Sequence, residues 1–544
     1  MDEPPNFSTF SMNCSSFPLG FYVPPHTSVC VWQKNTCFFN VDIVSYRYAN
    51  CKKKLGVSCM NYQSTRSKSL TADSARAVLD GIAADGGLYI TDVARLDFDW
   101  KAALTCDARG MSEMILAALL PDFPDMAGIV RRSYDHKFET DDLTPTVKVG
   151  QQYVLELFRG PTSAFKDVAL SVLPQLITSA RQKLGVEDKV VILTATSGDT
   201  GKAALEGFHD VPGTGIIVFY PYGGVSKVQQ LQMSTQVGSN VTVCAVRGNF
   251  DDAQTGVKKV FAACEGKDLG GAVLSSANSI NIGRLAPQVM YYFKAYADLV
   301  KSGRIQVGDK VHYVVPTGNF GDILAGYFAK KLGLPVGTLV CASNANDVLT
   351  DFIRTGVYDK RRPFYKTTSP SMDILVSSNL ERLLYLLSGD ESYVAELMKQ
   401  LNTQGRYEVT AEMKAKLQAE FACGCCDDKA MAATIKVVWD KYHYLCDPHT
   451  AVAWNVSEQW AKENADGAPV VVLSTASPYK FPQAVLEALE VPCTGDEFAM
   501  MEKLEQVSGI PAPKALATLR QKEVLHTDVI DPEDMLTYVL AHLK

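Results

Sequence analysis

Leu155-Glu156-Leu157-Phe158-Arg159-Gly160-Pro161-Thr162-Ser163-Ala164-Phe165-Lys166-Asp167-Val168-Ala169-Leu170 runs from an extended apolar segment through a Gly-Pro turn into a helix pattern. A single lysine, Lys166, stands at the junction. A lysine held between a turn and a helix start lies near the positive helix end, which disfavours its own charge. A partly neutral amine is a nucleophile towards an aldehyde. The plainer reading of an isolated Lys-Asp is a surface lysine with its charged head in water. The rest of the chain decides between the two.

Outward from this segment, from 150 to 345, short apolar runs bounded by Gly, Pro, Asp or Asn alternate with helical patterns. The runs predict strands over 153–158, 189–195, 215–220, 241–246, 272–275 and 311–316. Such alternation implies an α/β fold, a mostly parallel sheet with helices on both faces. Ligands then sit beyond the carboxyl ends of the strands. From about 350 to 445 long helical patterns dominate, as over 392–401 and 430–442, and read as a helical elaboration. The sheet pattern returns over 469–473, and the tail from Gly495 reads as helical and polar. Residues 60–145 form an N-terminal domain, with a helix over 75–84 and an Asp85-Gly86-Gly87 turn before a short strand. The organisation expected is 146–188 with 290–544 as a large domain that carries the helical insertion at about 350–445, and 189–289 as a small α/β domain. Residues 1–59 differ in composition and lack a helical period. Asp2 and Glu3 contradict a secretory start, and the segment reads as a non-native or disordered extension.

The 544 residues suffice for several domains and a large core. Apolar content of 47%, charged content of 21% and a net charge of -7 fit a globular protein and argue against a general nucleic-acid or anionic-membrane binder. No apolar run reaches the length of a membrane span. The 14 cysteines show no paired spacing. Cys423-Gly424-Cys425-Cys426 lacks a second ligand pair at finger-like spacing, so no metal site is expected.

Several loops follow the predicted strands. Thr317-Gly318-Asn319-Phe320-Gly321-Asp322 leads into a helix over 323–332. Strand, glycine loop and helix start form a phosphate cradle, because amides converge where the helix dipole favours an anion. Thr194-Ala195-Thr196-Ser197-Gly198-Asp199-Thr200-Gly201-Lys202 offers hydroxyls and amides suited to a carboxylate, or a simple helix cap. In Ser276-Ala277-Asn278-Ser279-Ile280-Asn281-Ile282-Gly283-Arg284, the arginine offers a planar fork for a phosphate. Ser474-Thr475-Ala476-Ser477-Pro478-Tyr479-Lys480-Phe481 follows the last strand. Cys446-Asp447-Pro448-His449-Thr450-Ala451 places a histidine that either orients loops or packs.

In this order, from about Tyr62 to about Ala488, the segments resemble the threonine synthase family, in the longer form seen in many bacteria and fungi. Lys166 lies in a segment similar to the family's G-P-T-x-A-F-K-D. The resemblance implies a pyridoxal-phosphate enzyme of fold type II, with two open α/β domains around the cofactor. It implies that Lys166 is the catalytic lysine that binds the cofactor aldehyde. Gly318, Asn319, Phe320, Gly321 and Asp322 would hold the cofactor phosphate, Thr475 would face the pyridine nitrogen, and Asp199 would contact the ring oxygen. Thr196, Ser197, Thr200, Asn278, Ser279 and Arg284 would bind substrate, O-phospho-L-homoserine. The reaction implied is its conversion with water to L-threonine and phosphate, in a cytoplasmic monomer. Arg159, Tyr222, Gly224 and Ser477 depart from the family pattern. They keep open a phospho-lyase that releases 2-oxobutyrate. A non-catalytic scaffold or regulatory binder is the alternative of another class.

Overall fold

The computed structural model describes residues 62–543, apart from Ser197 and Ala465, together with the backbone of Trp32–Gln33 and Thr36–Cys37, which pair antiparallel. The chain divides into two units, residues 1–59 and 60–544. Beyond that one strand pair, the expectation for residues 1–59 lies outside the described residues.

Two open sheets organise the second unit. Their strands are β1 (Thr146–Val149), β2 (Gln152–Glu156), β3 (Lys189–Ala195), β4 (Thr214–Pro221), β5 (Val241–Val246), β6 (Ala272–Ser275), β7 (Val311–Pro316), β8 (Val336–Ser343), β9 (Phe421–Cys425), β10 (Val470–Ser474) and β11 (Val529–Ile530). The larger sheet runs β9-β8-β7-β10-β2-β1 and the smaller β6-β3-β4-β5-β11. All pairs are parallel except β1 with β2. This is the mostly parallel α/β architecture that the alternation implied. Every residue of β4 and of β7 is buried. A strand covered on both faces reads as an unbroken apolar run, which is why the central strands were visible.

Four strands depart from the sequence reading, the longest being β8, a mostly buried strand inside the larger sheet where none was expected. β9 lies inside the stretch read as helical, and it places Cys423 and Cys425 on a sheet edge in register with Cys341 and Ser343. β11, assigned with the large domain, instead extends the smaller sheet beside β5. The edge strand β1 carried no recognisable alternation. β1, β9 and β11 are short edge strands with few buried residues, which leaves little pattern, although the equally short edge strand β6 was read correctly.

The helices that position the site are α1 (Lys166–Leu170), α2 (Asp199–Phe208), α3 (Ile282–Leu285), α4 (Gly321–Lys331) and α5 (Pro448–Glu463). The first turn of α4 is fastened from below, where the buried Tyr292 hydroxyl donates to the Asp322 carbonyl at 2.7 Å. Towards the N-terminus, Tyr62–Ser64, Ser67–Ala72 and Tyr89–Ile90 form an antiparallel sheet. The helix expected over 75–84 spans Ser74–Asp80 and stops at Gly81, whose φ of 74° suits glycine. Among the described residues, no helix is long and apolar enough to cross a membrane.

Candidate active site

Lys166 opens α1 directly after the Gly160–Phe165 turn, and buried Asp167 holds that turn. Its carboxylate accepts from the Thr162 amide at 2.9 Å, the Thr162 hydroxyl, and the Ala164 amide at 3.5 Å. A Cβ at position 160 would lie 2.5 Å from Asp167 Cβ, so the close approach requires glycine. Burial pushes the Asp167 carboxyl up to about 6 despite those donors. Its work is structural.

The Lys166 ammonium lies 4.5 Å from the Phe165 ring centroid and 3.5 Å from Ser371 Oγ. Part of the side chain stays open to the cleft. Removal from bulk water is the main cause that pushes its pKa down, and the nearby charges of Lys480 and Arg284 reinforce it against Asp199 and Asp322. The direction is the one expected from a lysine at a helix start, but desolvation is the larger cause.

Asp199 begins α2. Lys480, itself buried, donates to Asp199 Oδ1 at 2.7 Å and to the Thr162 carbonyl at 3.1 Å. Burial alone would raise the Asp199 pKa; Lys480 and Lys166 overcome it and hold the carboxyl below the usual range. Thr196 Oγ accepts the amides of Gly198 at 3.0 Å and Gly201 at 2.9 Å, leaving its hydroxyl hydrogen for a ligand. Thr200 is half-buried. Ser197 lies outside the described residues.

The glycine loop follows β7. Phe320 adopts a left-handed φ of 63°, an uncommon state for an aromatic residue and a form of strain that clusters at functional sites. It is locked by burial and by Phe421, 5.6 Å away between ring centroids. The first amides of α4 have no partner within the helix and face the region before it. Burial pushes Asp322 up to about 6; it accepts the Ile323 amide at 2.8 Å. Asn319 is exposed at the rim, and its carbonyl accepts the Asn379 amide at 3.0 Å.

Arg284 sits on α3. It is 3% exposed; Nη1 donates to the Ala277 carbonyl, and Nε has no partner among the described residues. Burial pushes its pKa down to about 10, so it stays charged at neutral pH. Ser279 Oγ lies 3.4 Å from Ser378 Oγ, while Asn278 is exposed. Thr475 is buried, and its carbonyl accepts the Phe165 amide at 2.8 Å, fastening the last loop to the start of α1.

The two anion loops are tied together by residues that the sequence reading missed. Asn379 Nδ2 donates to the carbonyls of Ser279 and Asn319, each at 3.2 Å. Behind it, buried Arg382 donates to Asn379 Oδ1 at 2.6 Å, to the Tyr89 carbonyl at 3.0 Å and to the Ile280 carbonyl. Ser371 and Lys480 complete the set. Apart from the local Arg382–Asn379 contact, these are long-range contacts, without a local spacing that could have revealed them.

The departures from the family pattern resolve into plain roles. Arg159 pairs with Glu156 at 2.6 Å and Glu139 at 3.2 Å. Ser477 Oγ accepts the Tyr479 amide at 3.3 Å, and its own amide donates to the Ser163 carbonyl at 3.1 Å. Tyr222 is 60% exposed, and the Gly224 amide closes a turn on Pro221 at 2.9 Å.

Around Lys166 stand the cations Lys480 and Arg284 and the carboxylates of Asp199 and Asp322. A buried guanidinium N–H without a partner among the described residues, amides at a helix start and an amine with a lowered pKa fit a phosphorylated aldehyde and a second phosphate. Residues 141–410 match the model of the pyridoxal-phosphate dependent enzymes. The fold and this site therefore define a pyridoxal-phosphate-dependent enzyme of fold type II. Residues 61–147 match the threonine synthase N terminus, and residues 450–529 the threonine synthase C-terminal model. Threonine synthase of Saccharomyces cerevisiae is 38% identical over 465 residues, covering 79% of this chain and 89% of that protein. Threonine synthase-like 1 of Homo sapiens is 37% identical over 436 residues, 77% of this chain; the match spans 58% of that longer relative. Among solved structures, pyridoxal-phosphate-bound threonine synthase from Brucella melitensis gives a TM-score of 0.78 at 38% identity, covering 89% of this chain and 100% of that one. Threonine synthase from yeast gives 0.80 at 32% identity, covering 89% and 99%. The chain belongs to the threonine synthase family.

Proposed function

We propose that the protein is a threonine synthase, converting O-phospho-L-homoserine and water to L-threonine and phosphate. The observation that carries this reading is Arg284, a buried cation without a carboxylate partner beside the lowered-pKa amine of Lys166. Pyridoxal phosphate, when bound, supplies the electron sink that makes the α and then the β proton of an amino acid removable. Lys166 binds the cofactor aldehyde, and its amine, once free, moves protons at the α and β carbons. The loop Gly318–Asp322 holds the cofactor phosphate at the start of α4. Thr475 would contact the pyridine nitrogen and Asp199 the ring oxygen when the cofactor is bound. Thr196, Ser197 and Thr200 hold the substrate carboxylate, with Asn278 and Ser279 at the neighbouring loop. Arg284 would grip the substrate phosphate; the phosphate leaves from the γ carbon, that carbon takes up a proton, and water then adds at the β carbon. The protein works as a cytoplasmic monomer on this small molecule, without nucleic acid or membrane.

A second reading, a phospho-lyase releasing 2-oxobutyrate, is favoured by the loop at Tyr222 and Gly224, which offers no charge where the family pattern has lysine and arginine. Incubation with O-phospho-L-homoserine, scoring threonine, 2-oxobutyrate and phosphate, tests both. Equal amounts of threonine and phosphate are expected; 2-oxobutyrate with phosphate establishes the second reading, and no phosphate release refutes both.

A further inference from the structure

We propose that Ser371 is a positioning residue for the Lys166 amine, its hydroxyl bridging that amine to the Asp199 carboxylate, and that the Asp447–His449 pair fixes its place by accepting the Ser371 amide. The proposal rests on the reading of Lys166 as the lysine that binds the cofactor.

Ser371 lies in the middle of the 3-10 turn Pro370–Met372 and meets four separate parts of the site. Its hydroxyl oxygen accepts from Lys166 Nζ at 3.5 Å and donates to Asp199 Oδ2 at 3.4 Å. Its carbonyl oxygen would lie 2.7 Å from a Cβ at position 318, so it packs against the glycine loop. Its amide donates to His449 Nε2 at 3.1 Å.

The last contact fixes the state of the imidazole. An amide N–H can only donate, so Nε2 carries the lone pair and Nδ1 carries the hydrogen. That hydrogen is donated to Asp447 Oδ2 at 2.6 Å. Asp447 is itself immobilised as the N-cap of α5, accepting the amides of His449 at 3.0 Å and Thr450 at 3.1 Å and the Thr450 hydroxyl. Both side chains are buried, 2% and 0% exposed. His449 therefore acts on Lys166 through Ser371.

A lysine amine on a four-carbon stem has many rotamers, and an oriented acceptor narrows them. Because the Ser371 hydrogen goes to Asp199, an oxygen lone pair is left for the lysine N–H. The base of the loop is anchored independently: Asp373 accepts from Asn344 at 2.8 Å, Asn346 at 2.9 Å and the Thr367 amide at 3.0 Å. Truncating Ser371 thus leaves the loop in place.

The experiment mixes apo-protein with pyridoxal phosphate and follows the visible band of the lysine-bound cofactor, alongside equilibrium retention and Tm. Ser371→Ala is expected to slow capture about tenfold, the scale of one hydrogen bond to a charged group, with retention and Tm unchanged. Ser371→Thr is expected to restore most of the rate. His449→Leu should reproduce Ser371→Ala, and His449→Gln, which keeps an acceptor, should fall between. Capture by Ser371→Ala at the wild-type rate overturns the proposal, as does a normal rate in His449→Leu or a slow one in Ser371→Thr. A wild-type protein that forms no band refutes the functional reading instead, so the two failures are distinguishable.

Discussion

Two buried cations in one cleft are satisfied in opposite ways. Lys480, 2% exposed, is neutralised by Asp199 at 2.7 Å and also donates to the Thr162 carbonyl. Arg284, 3% exposed, donates to the Ala277 carbonyl and keeps Nε without a partner among the described residues. Burying a charge costs free energy unless a counter-charge and hydrogen bonds offset it. The paired lysine belongs to the framework that shapes the surroundings of Lys166. The arginine without an acid is arranged for an anion that arrives with the substrate.

The comparison breaks most visibly if Lys480 is removed. Lys480→Met leaves Asp199 buried without its nearest counter-charge, at a cost on the order of 3–5 kcal/mol, read as a lower Tm. Burial works against the Asp199 carboxylate, yet the lysines hold its folded pKa below the usual range. The stabilisation is therefore present above the unfolded value of about 4 and is lost as pH falls through the folded value. The Tm gap between the two proteins should be wide at neutral pH and should narrow on acidification below about pH 4.

Arg284→Ala should behave in the opposite sense. It removes a buried charge that the fold does not pair, so Tm and cofactor absorbance should stay at wild-type values. Turnover should suffer instead. Losing a charge-assisted phosphate grip costs on the order of 2–4 kcal/mol, roughly 30- to 1000-fold in kcat/KM. Arg284→Lys should recover part of this, because an ammonium cannot reproduce the fork. Loss of the cofactor from Arg284→Ala would place Arg284 at the wrong phosphate.

Two smaller effects sharpen the boundary between loops and framework. A Cβ at Gly321 would lie 3.5 Å or more from its neighbours, so Gly321→Ala should bind cofactor, whereas Gly321→Leu should weaken its retention by crowding the start of α4. Retention after gel filtration measures both. Arg159→His takes the guanidinium from Glu156, which is 5% exposed, so stability should fall by about 1–3 kcal/mol, more than a surface pair would give, with kcat/KM close to wild type.

The sequence revealed what is buried on both faces or confined to one short segment. The strands at 189–195, 241–246, 272–275 and 311–316 match β3, β5, β6 and β7 residue for residue; for β3, β5 and β7 the reason is burial on both faces, which makes a parallel strand apolar throughout, while the mostly buried β8 went unread. Lys166 and Arg284 announced themselves through local motifs, and both lie in one cleft. The Asp199–Lys480 pair was not legible. Both residues were quoted in their segments, but nothing local says that the two meet. Ser371, Asn379 and Arg382 were missed for the same physical reason, since most of their partners are backbone or side-chain groups far away in sequence that the fold brings in. The two-residue strand β11 is too short to carry a period, so the tail was given to the wrong sheet.

The central claim is that, of the two lysines in this cleft, Lys166, partly open to it and without a carboxylate partner among the described residues, takes the cofactor, and the buried, ion-paired Lys480 does not. Borohydride reduction of the cofactor-loaded protein, followed by peptide mapping, tests it directly. The label is expected on the peptide that contains Lys166. A label on Lys480, or on any other lysine, would contradict the account.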